Sequence, residues 1–157
     1  MKNLIVRRAA YGDIAHIYSV NKICLPIAYS ILEYIMFLAS SSNVIFVAEY
    51  QNVIVGYILG EITKVDENKS KVHIMSFGVL PNFRKHRVGT KLMNKIIEHA
   101  KSINHNIMSL YVHAENHAGI SFYKKHGFNI VKTLTNFYNG SIPYEKTCDA
   151  YYMELIL

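Results

Sequence analysis

The sequence predicts an α+β fold, layered α/β/α, in which helices flank a mixed, mostly antiparallel sheet with a central parallel strand pair. β-rich and helical patterns follow one another in the order βααβββαβαββ, without internal repeats or low-complexity linkers. The strand, helix and strand within residues 72–114 form one crossover unit, which joins parallel strands with a right-handed connection. We therefore expect one parallel pair inside a sheet whose other neighbours are mostly antiparallel.

The strands are predicted from alternation and from β-branched and aromatic residues. Leu4–Arg8 alternates apolar and basic residues, and Gln51-Asn52 joins two β-rich runs in a plausible hairpin. The central strand is His73–Leu80, which follows a charged turn. The remaining predicted strands are Val44–Tyr50, Val53–Val65, Ile107–Ala114, Phe128–Tyr138 and Asp149–Leu157, with a long loop between the last two.

The helices are predicted from capping residues and apolar periodicity. Asp13 is a suitable N-cap for the first helix, and Pro26 requires this helix to end by Leu25. Ser30 and Glu33 match a capping box at the start of the second helix. The second helix is expected to reach Ala39. A short fourth helix is expected from about His117 to Lys125, between Asn116 and Gly127. The third helix has an apolar stripe formed by Leu92, Met93, Ile96, Ile97, Ala100 and Ile103.

Composition excludes several classes of protein. With 157 residues, 51% of them hydrophobic, the chain can form one globular domain over residues 1–157. Cys24 and Cys148 follow no metal or redox spacing, which favours a reducing compartment. The apolar region Cys24–Ala39 is too short and too polar for a membrane span, and the N-terminus lacks a signal-peptide core. We therefore expect a cytoplasmic protein without membrane attachment.

The net charge of +6 raises the question of nucleic acid binding. The positive residues are densest at positions 84–91, where an anionic cofactor already accounts for them. No zinc-finger spacing or RNA-binding aromatic motif accompanies them. Direct nucleic acid recognition is therefore not expected, although a basic surface could dock near ribosomal RNA.

The most informative stretch is the basic loop between the central strand and the long helix. Arg84-Lys85-His86-Arg87-Val88-Gly89-Thr90 combines cationic side chains, backbone N–H groups and a helix N-terminus. These are the groups that hold a pyrophosphate, because the unpaired N–H groups and the positive end of the helix dipole point the same way. Taken alone, the loop could equally be an ordinary solvated basic turn.

This loop resembles the acetyl-CoA-binding motif of the GNAT acetyltransferases, usually Arg/Gln-x-x-Gly-x-Gly/Ala. Arg84 fills the first place and Gly89 the last, while Arg87 stands where the middle glycine is usual. The segments LPIAY, IMSFGVLPNFRKHRVGTKL, ENHAGISFYKKHGF and NFYNG…DAYYMEL occur in the order expected of N-terminal (Nα) acetyltransferases, most similar to NatE catalytic subunits. The resemblance extends from about Asn21 to Leu157 and implies the GNAT acyl-CoA N-acyltransferase fold.

The resemblance also implies which residues bind acetyl-CoA. The strand and loop residues would be Phe77, Gly78, Val79, Arg84, Lys85, His86, Arg87, Val88, Gly89 and Thr90, and Asn116 to Lys125 would complete the site. Within that second segment, Asn116 and Tyr123 are the expected contacts, and the family places at Tyr123 a tyrosine that protonates the departing thiolate. The alternative for Tyr123 is a packing role on an amphipathic helix.

NatE-like enzymes deprotonate the amine with a tyrosine on the central strand and a histidine on the next strand. In this sequence the two residue types are exchanged, since His73 stands at the tyrosine position and Tyr111 at the histidine position. We hypothesise that His73 is the general base, directly or through water, with Tyr111 as its partner. A neutral imidazole suits this role because its usual pKa is about 6.5.

For the acceptor, the resemblance implies an apolar pocket that receives the first side chain of a protein N-terminus. Leu25, Pro26, Ile27 and Tyr29 match this pocket, Met75 lies beside it, and Phe137 and Tyr138 match the aromatic pair that clamps the peptide backbone. Leu25 replaces a usual phenylalanine, and Leu25 to Ile27 could instead be a core turn. An apolar pocket favours a large first side chain, so we expect Met-initiated N-termini with an apolar second residue.

Other functions stay open at this point. His113 and His117 lack a third ligand at a recognisable spacing, so no metal is expected. The same fold could acetylate lysine side chains or small amines, although the expected hairpin at Phe137 and Tyr138 narrows the acceptor channel. The chain could also be a weakly active subunit of a ribosome-associated acetyltransferase complex, with an auxiliary subunit as its partner.

Overall fold

Seven strands and four α-helices lie in the part of the chain that the computed structural model describes, residues 1–139 and 147–157. The strands are β1 (Leu4–Arg8), β2 (Asn43–Tyr50), β3 (Val53–Lys64), β4 (Ser70–Val79), β5 (Ile107–His113), β6 (Asn129–Leu134) and β7 (Ala150–Ile156). The helices are α1 (Ile14–Cys24), α2 (Ile31–Ala39), α3 (Val88–Ser102) and α4 (His117–Lys125), and short 3₁₀ turns cover Tyr11–Asp13 and Pro81–Phe83.

The strands form one sheet in the order β1-β2-β3-β4-β5-β7-β6. All neighbouring pairs are antiparallel except β4 and β5, which are parallel and are joined by the α3 crossover. The predicted mixed sheet with a central parallel pair is therefore confirmed. The predicted hairpin between β2 and β3 is also present, and both Gln51 and Asn52 take the positive φ that such tight turns require.

Helices on the two faces of the sheet bury two separate apolar clusters. On one face α3 contributes the fully buried Leu92, Met93 and Ile96 of the predicted stripe, together with β-strand residues such as Ile74 and Leu110. On the other face α1 and α2 cover β2 and β3, where residues such as Ile17, Tyr34 and Tyr57 are wholly buried. The sheet is thus the shared wall of both cores.

The parallel pair separates before its strands end. The register of β4 against β5 stops at Ile74 opposite Leu110, although β4 continues to Val79 and β5 to His113. Backbone N–H and C=O groups on the facing edges beyond this point have no strand partner in residues 1–139 and 147–157. The separation therefore opens a gap in the middle of the sheet.

A β-bulge in β4 lies at the same place. Leu59 of β3 pairs with Ser76 while Gly60 pairs with Ile74, so Met75 is an extra residue on β4. The bulge changes which side chains face α3: Ile74 packs in that cluster, Met75 packs on the opposite face, and Phe77 returns to the α3 side. The bulge thus sets the direction of every side chain on the part of β4 that borders the gap.

Some details of the predicted elements are wrong for local reasons. Asp13 is the N-cap residue of α1, as predicted, but its side chain does not cap the helix, because its carboxylate accepts from Arg7 and from the Ala10 N–H instead. β4 begins at Ser70, within the predicted turn. β6 ends at Leu134, because Asn136 takes a positive φ that stops the extended chain, so the predicted strand over 128–138 is too long. The loop predicted after it lies partly outside the described residues.

The Asp13 carboxylate ties β1 to the start of α1. Both of its oxygens accept from the Arg7 guanidinium, at 2.7 and 2.9 Å, and Asp13 is only 8% exposed. The hydrogen bonds from Arg7 hold the pKa of Asp13 below its usual range. A carboxyl whose folded pKa is lowered stabilises the fold above its unfolded pKa of about 3.9, and this contribution is lost as the pH falls through the folded pKa.

Asp13→Asn should therefore lower the free energy of unfolding by about 1–3 kcal/mol at pH 7, because the substitution removes the charge that the mostly buried Asp13 carboxylate offers to Arg7. Urea unfolding at a series of pH values measures this, and the difference from the wild type should shrink below pH ~4. Glu98→Gln is the control, since the Lys95–Glu98 pair is exposed at 3.5 Å and should change stability by less than about 0.5 kcal/mol. Equal effects of the two substitutions would contradict the assignment.

Candidate active site

A cationic groove of about 780 Å³ lies between the end of β4, the loop before α3 and α4. Four cations line it, Arg84, Lys85, Arg87 and Lys125, and no carboxylate does so among the residues that the structure describes. None of the four forms an ion pair with a described acidic residue. The groove therefore has an excess of positive charge, which favours an anionic ligand.

The loop before α3 adopts left-handed backbone at two non-glycine residues. Lys85 and Arg87 have φ of 62° and 63°, and Arg87 is the N-cap of α3. Its side chain does not cap the helix, so the first N–H groups of α3 have no side-chain acceptor from the N-cap and border the groove. Arg84 Nε donates to the carbonyl oxygen of Val79 at 3.0 Å, which holds the loop against the end of β4.

Gly89 is required by packing and not by an unusual backbone angle. It lies in the first turn of α3 without a positive φ, and a Cβ at this position would lie 3.1 Å from the ring of Phe77 and 3.4 Å from that of Phe122. These two rings lie 5.4 Å apart on the groove wall. The positive φ values expected of motif glycines are instead taken by Lys85 and Arg87.

The structure brings together on this groove all of the predicted cofactor residues except His86. The ring of His86 is 2.8 Å from the carbonyl oxygen of Arg84 and is exposed outside the groove. Sequence reasoning missed Cys24, which also lines the groove, and gave no separate role to Phe122, which lies within the expected segment Asn116 to Lys125. Cys24 carries no motif signal, because it reaches the groove only through the packing of α1 against β4.

A smaller cavity of about 180 Å³ lies where β4 and β5 separate, and it adjoins the groove. Leu25, Pro26, Phe77, Asn116 and Tyr123 line both spaces. The residues that line the cavity alone are Ile27, Ile74, Met75, Ser76, Leu110, Tyr111, Val112, His113 and Tyr138. A ligand in the groove can thus reach the gap between the parallel strands.

The predicted acceptor residues are distributed around this cavity. Five of them line it: Leu25, Pro26, Ile27, Met75 and Tyr138. Tyr29 does not line the cavity and packs edge-on against Phe37 at 5.1 Å between ring centroids. Phe137 does not line it either, but its ring stacks on that of Tyr111 at 4.7 Å.

The predicted base and its partner lie side by side. The ring centroids of His73 and Tyr111 are 5.0 Å apart, and Tyr111 lines the cavity while His73 lies behind it. Nδ1 of His73 shares a hydrogen bond of 2.8 Å with the hydroxyl of the fully buried Ser109. Burial, with the nearby charge of Lys71, lowers the pKa of His73 to about 4. The imidazole is therefore neutral at pH 7. Its Nε2 atom takes no part in the hydrogen bond with Ser109.

Tyr123 lies on α4 at the junction of the groove and the cavity. Burial raises the pKa of its hydroxyl well above the usual range. The phenol consequently keeps its proton at neutral pH, and a protonated hydroxyl at this junction can donate to a group that arrives from either space.

His113 is a site residue that sequence reasoning considered only as a metal ligand. It is 4% exposed, and its Nδ1 accepts from the Glu115 N–H at 3.1 Å while Nε2 lies 2.9 Å from the carbonyl oxygen of Thr147. The ring is thereby held as the tautomer with hydrogen on Nε2. Through these hydrogen bonds His113, at the end of β5, contacts the turn before α4 and the segment before β7. Its ring lies 5.4 Å from that of Tyr138.

Within residues 1–139 and 147–157, no group of three or more His, Cys, Asp or Glu side chains is arranged to hold a metal ion. Over the same residues, no helix has the length and apolar character needed to cross a membrane. The site itself combines a cationic groove with an adjoining cavity that is lined by apolar, tyrosine and histidine side chains.

Comparisons with known proteins agree with this geometry. The family model described as the acetyltransferase (GNAT) family matches residues 14–128. The N-alpha-acetyltransferase of Sulfolobus acidocaldarius is 31% identical over 144 residues, which cover 87% of this chain and 86% of the relative. The probable N-acetyltransferase san of Drosophila melanogaster is 30% identical over 132 residues, covering 83% and 71%. The structure of Arabidopsis thaliana Naa50 in complex with the bisubstrate analogue CoA-Ac-MVNAL has a TM-score of 0.83 at 26% identity, covering 98% of this chain and 99% of that one.

The fold and the joined groove and cavity define an acyltransferase. The chain belongs to the acetyltransferase (GNAT) family, whose model matches most of its length. The predicted family, the predicted acyltransferase class and its dependence on acetyl-CoA as cosubstrate are thereby confirmed at the level of the family. The roles assigned to individual site residues stay predictions.

The lowered pKa of His73 can be measured directly. In a pH titration followed by NMR, the His73 ring signal, assigned by its loss in His73→Gln, should have a midpoint near pH 4. Because the unfolded histidine titrates near 6.5, the unfolded chain binds more protons between these two values, and wild-type stability should rise with pH across that window. His73→Gln should lack this part of the pH dependence. A midpoint above pH 6 would contradict the buried, neutral ring.

Proposed function

We propose that this protein is an Nα-acetyltransferase, which moves the acetyl group of acetyl-CoA to the free α-amine of protein N-termini. The observation that carries the proposal is the continuity between the cationic groove and the cavity at the separation of β4 from β5. Such a continuous space suits a long anionic thioester whose reactive end must meet a second substrate. The names of the relatives and the peptide-bearing analogue of Naa50 support the same reading.

In this proposal the diphosphate of acetyl-CoA lies over the N-terminus of α3. The loop cations Arg84, Lys85 and Arg87 neutralise its charge, and the first N–H groups of α3 donate to its oxygens. The pantetheine arm extends along the free edge of β4 beyond Ile74, where backbone groups lack a strand partner. The thioester then lies in the cavity.

The chemistry requires a neutral amine, a polarised carbonyl and a proton for the leaving thiolate. An α-amine has a pKa of about 7.7–8.0, so a positioned base needs to remove a proton only from a moderately acidic ammonium. His73 and Tyr111 fill this role together: Tyr111 borders the cavity, and the neutral imidazole of His73 lies behind it. Tyr123 protonates the thiolate from the junction of the two spaces.

The low pKa of His73 makes it a weak base, so the couple is expected to act on the minor fraction of the amine that is neutral and to take up its proton as the amine attacks. Positioning of amine and thioester then supplies most of the rate. Catalysis by positioning requires polar groups that are held in place. His73 is held by its hydrogen bond with Ser109 and by its ring contact with Tyr111.

The acceptor pocket favours a large apolar first residue. Leu25, Pro26, Ile27 and Met75 offer apolar surface, and Tyr138 closes the outer side. Burial of a methionine side chain contributes about 1.5–3 kcal/mol, whereas a serine or alanine side chain has little surface to bury. Met followed by an apolar residue is therefore the proposed substrate, and side-chain lysines or small amines are the alternative acceptors.

A partner subunit is also proposed. The outward face of α2 presents Ile31, Leu32, Ile35 and Met36, all exposed, next to exposed Ile23 and Ile27. A contiguous apolar face of this kind is unusual on a surface that meets only water. It supports assembly with an auxiliary subunit of an acetyltransferase complex.

We also propose a cytoplasmic location. Cys24 and Cys148 form no disulfide, which agrees with a reducing compartment.

Two substitutions of Arg87 distinguish the cofactor-binding role of its side chain from the strain of its backbone angle. Arg87→Ala should weaken acetyl-CoA binding by about fivefold to tenfold and reduce its salt dependence, because one cation near the phosphates is lost. Arg87→Gly should lose affinity to the same extent, yet be more stable than Arg87→Ala by about 1 kcal/mol, because glycine accepts the positive φ of 63° without strain. Isothermal titration at two salt concentrations and urea unfolding measure both effects.

Arg87→Lys is the matched control and should keep most of the affinity. Wild-type binding by Arg87→Ala at both salt concentrations would remove Arg87 from the cofactor site. Absence of binding by the wild-type protein would overturn the enzymatic proposal and favour a scaffold role within a complex.

A peptide panel tests the acceptor. Met-Leu-initiated peptides should be acetylated with kcat/KM at least about tenfold above Ser- or Ala-initiated ones, because only the methionine side chain fills the apolar pocket. Met75→Ala should reduce this preference and leave Ser-initiated peptides nearly unchanged. Mass spectrometry locates the product. Acetylation of internal lysines in N-terminally blocked peptides, at rates equal to the free N-termini, would favour the lysine alternative.

A further inference from the structure

A buried polar cluster lies against the bulge of β4, between the sheet and the two N-terminal helices. Its members are Asn21 of α1, Tyr34 of α2, Tyr57 of β3 and Ser76 of β4, and we call it the Ser76 cluster. Asn21, Tyr34 and Tyr57 are 0% exposed and Ser76 is 6% exposed. Buried polar groups cost stability unless they are paired, so such a cluster in an apolar core requires an explanation.

Hydrogen bonds connect the four side chains of the cluster. Asn21 Nδ2 donates to the Tyr57 hydroxyl at 2.5 Å, and the Tyr34 hydroxyl donates to the same oxygen at 3.4 Å. The Tyr57 and Ser76 hydroxyls lie 2.5 Å apart, and either of them can donate to the other.

The Ser76 hydroxyl is held between the cluster and the space beside it. Its oxygen lies 2.5 Å from the Tyr57 hydroxyl and 3.2 Å from Asn21 Nδ2, and it also shares a hydrogen bond with the Tyr34 hydroxyl. These contacts fix the Ser76 oxygen in one place, and rotation about its C–O bond turns its proton toward an acceptor that enters the space.

That space is the cavity between the parallel strands. Ser76 lines the cavity and follows the bulged Met75, just beyond the last β4–β5 pair at Ile74. Tyr123, the group proposed to protonate the leaving thiolate, lines the same cavity. A hydroxyl donor in a buried site of this kind acts more strongly than in water, because no solvent competes for the acceptor.

We propose that the Ser76 hydroxyl donates a hydrogen bond to the acetyl carbonyl oxygen, with Tyr57 and Asn21 as the residues that position it. The inference rests on the proposed acetyl transfer. The amine nitrogen attacks the carbonyl carbon, the π electron pair moves to the oxygen, and Ser76 stabilises the resulting negative charge without giving up its proton. The nitrogen gives up one proton to the His73–Tyr111 couple. When the carbonyl forms again, the carbon–sulfur bond breaks and the thiolate takes a proton from Tyr123, which regains one from solvent.

Ser76→Ala tests the donor. It should lower kcat by about tenfold or more, because a donor to a developing oxyanion acts mainly in the transition state. The KM values for acetyl-CoA and for peptide should change less than about threefold. Ser76→Thr keeps a hydroxyl on the same carbon and should restore most of the kcat lost in Ser76→Ala.

Tyr57→Phe tests the positioning. The variant removes the hydroxyl that holds the Ser76 oxygen at 2.5 Å but leaves the Ser76 hydroxyl present, so kcat should fall less than in Ser76→Ala. The double variant should be no slower than Ser76→Ala alone, because Tyr57 acts only through Ser76. Thr63→Val is the matched control: the Thr63 hydroxyl oxygen is buried without a partner among the described residues, on a part of β3 remote from the cavity. This substitution should leave kcat unchanged.

Two results would overturn the proposal. The first is a normal kcat for Ser76→Ala combined with a lower melting temperature, as expected if the Asn21 amide were turned so that its oxygen accepts the Ser76 proton. The second is an equal loss of kcat in Ser76→Ala and Ser76→Thr, which would show that the hydroxyl is not what matters. Failure of the wild-type protein to bind acetyl-CoA or acetylate any peptide would instead refute the proposed function itself.

Discussion

The early separation of β4 from β5 is the constraint on which the site depends. Pairing stops at Ile74 and Leu110, while both strands continue toward the same edge of the sheet. Backbone groups beyond that point must find other partners, because an unpaired buried N–H or C=O is costly. The gap is thus a place where an extended ligand can complete the sheet. Residues from β4, β5 and α4 border it, and the bulge at Met75 determines which of the β4 side chains do so.

The groove and the cavity beside this gap differ in charge and in packing. The groove holds cations at the start of α3 and at the end of α4 that have no acidic partner among the described residues, so it suits the phosphates of a nucleotide-bearing cosubstrate. The cavity is lined mainly by apolar and aromatic side chains, with polar groups such as Ser76, Tyr111 and His113 held in place by their neighbours. His113 joins three segments around the cavity through two hydrogen bonds, and Ser109 orients His73. The site thus combines long-range attraction for an anion with local order at the reacting end.

Several parts of this arrangement follow from local sequence. The strand, basic loop and amphipathic helix around Arg84 to Thr90 were predictable, because apolar periodicity and a helix N-terminus are local signals. The hairpin at Gln51 and Asn52 was predictable for the same reason. Other features were not. The limit of β6 depends on the positive φ of Asn136, and the role of Asp13 depends on Arg7 from another element.

The sequence by itself determined the order of elements, the parallel crossover and the anion-binding character of the loop, because each depends on residues close together in the chain. Only the tertiary structure decided where the parallel strands separate, that Lys85 and Arg87 carry the left-handed backbone, and that Gly89 makes room for two aromatic rings. It also decided the contacts of Ser76, Ser109 and His113, whose partners lie on other strands and helices. Hydrogen bonds between distant residues leave no periodic pattern in the sequence. They depend on strand register and on a bulge, and no local sequence signal marks either of these.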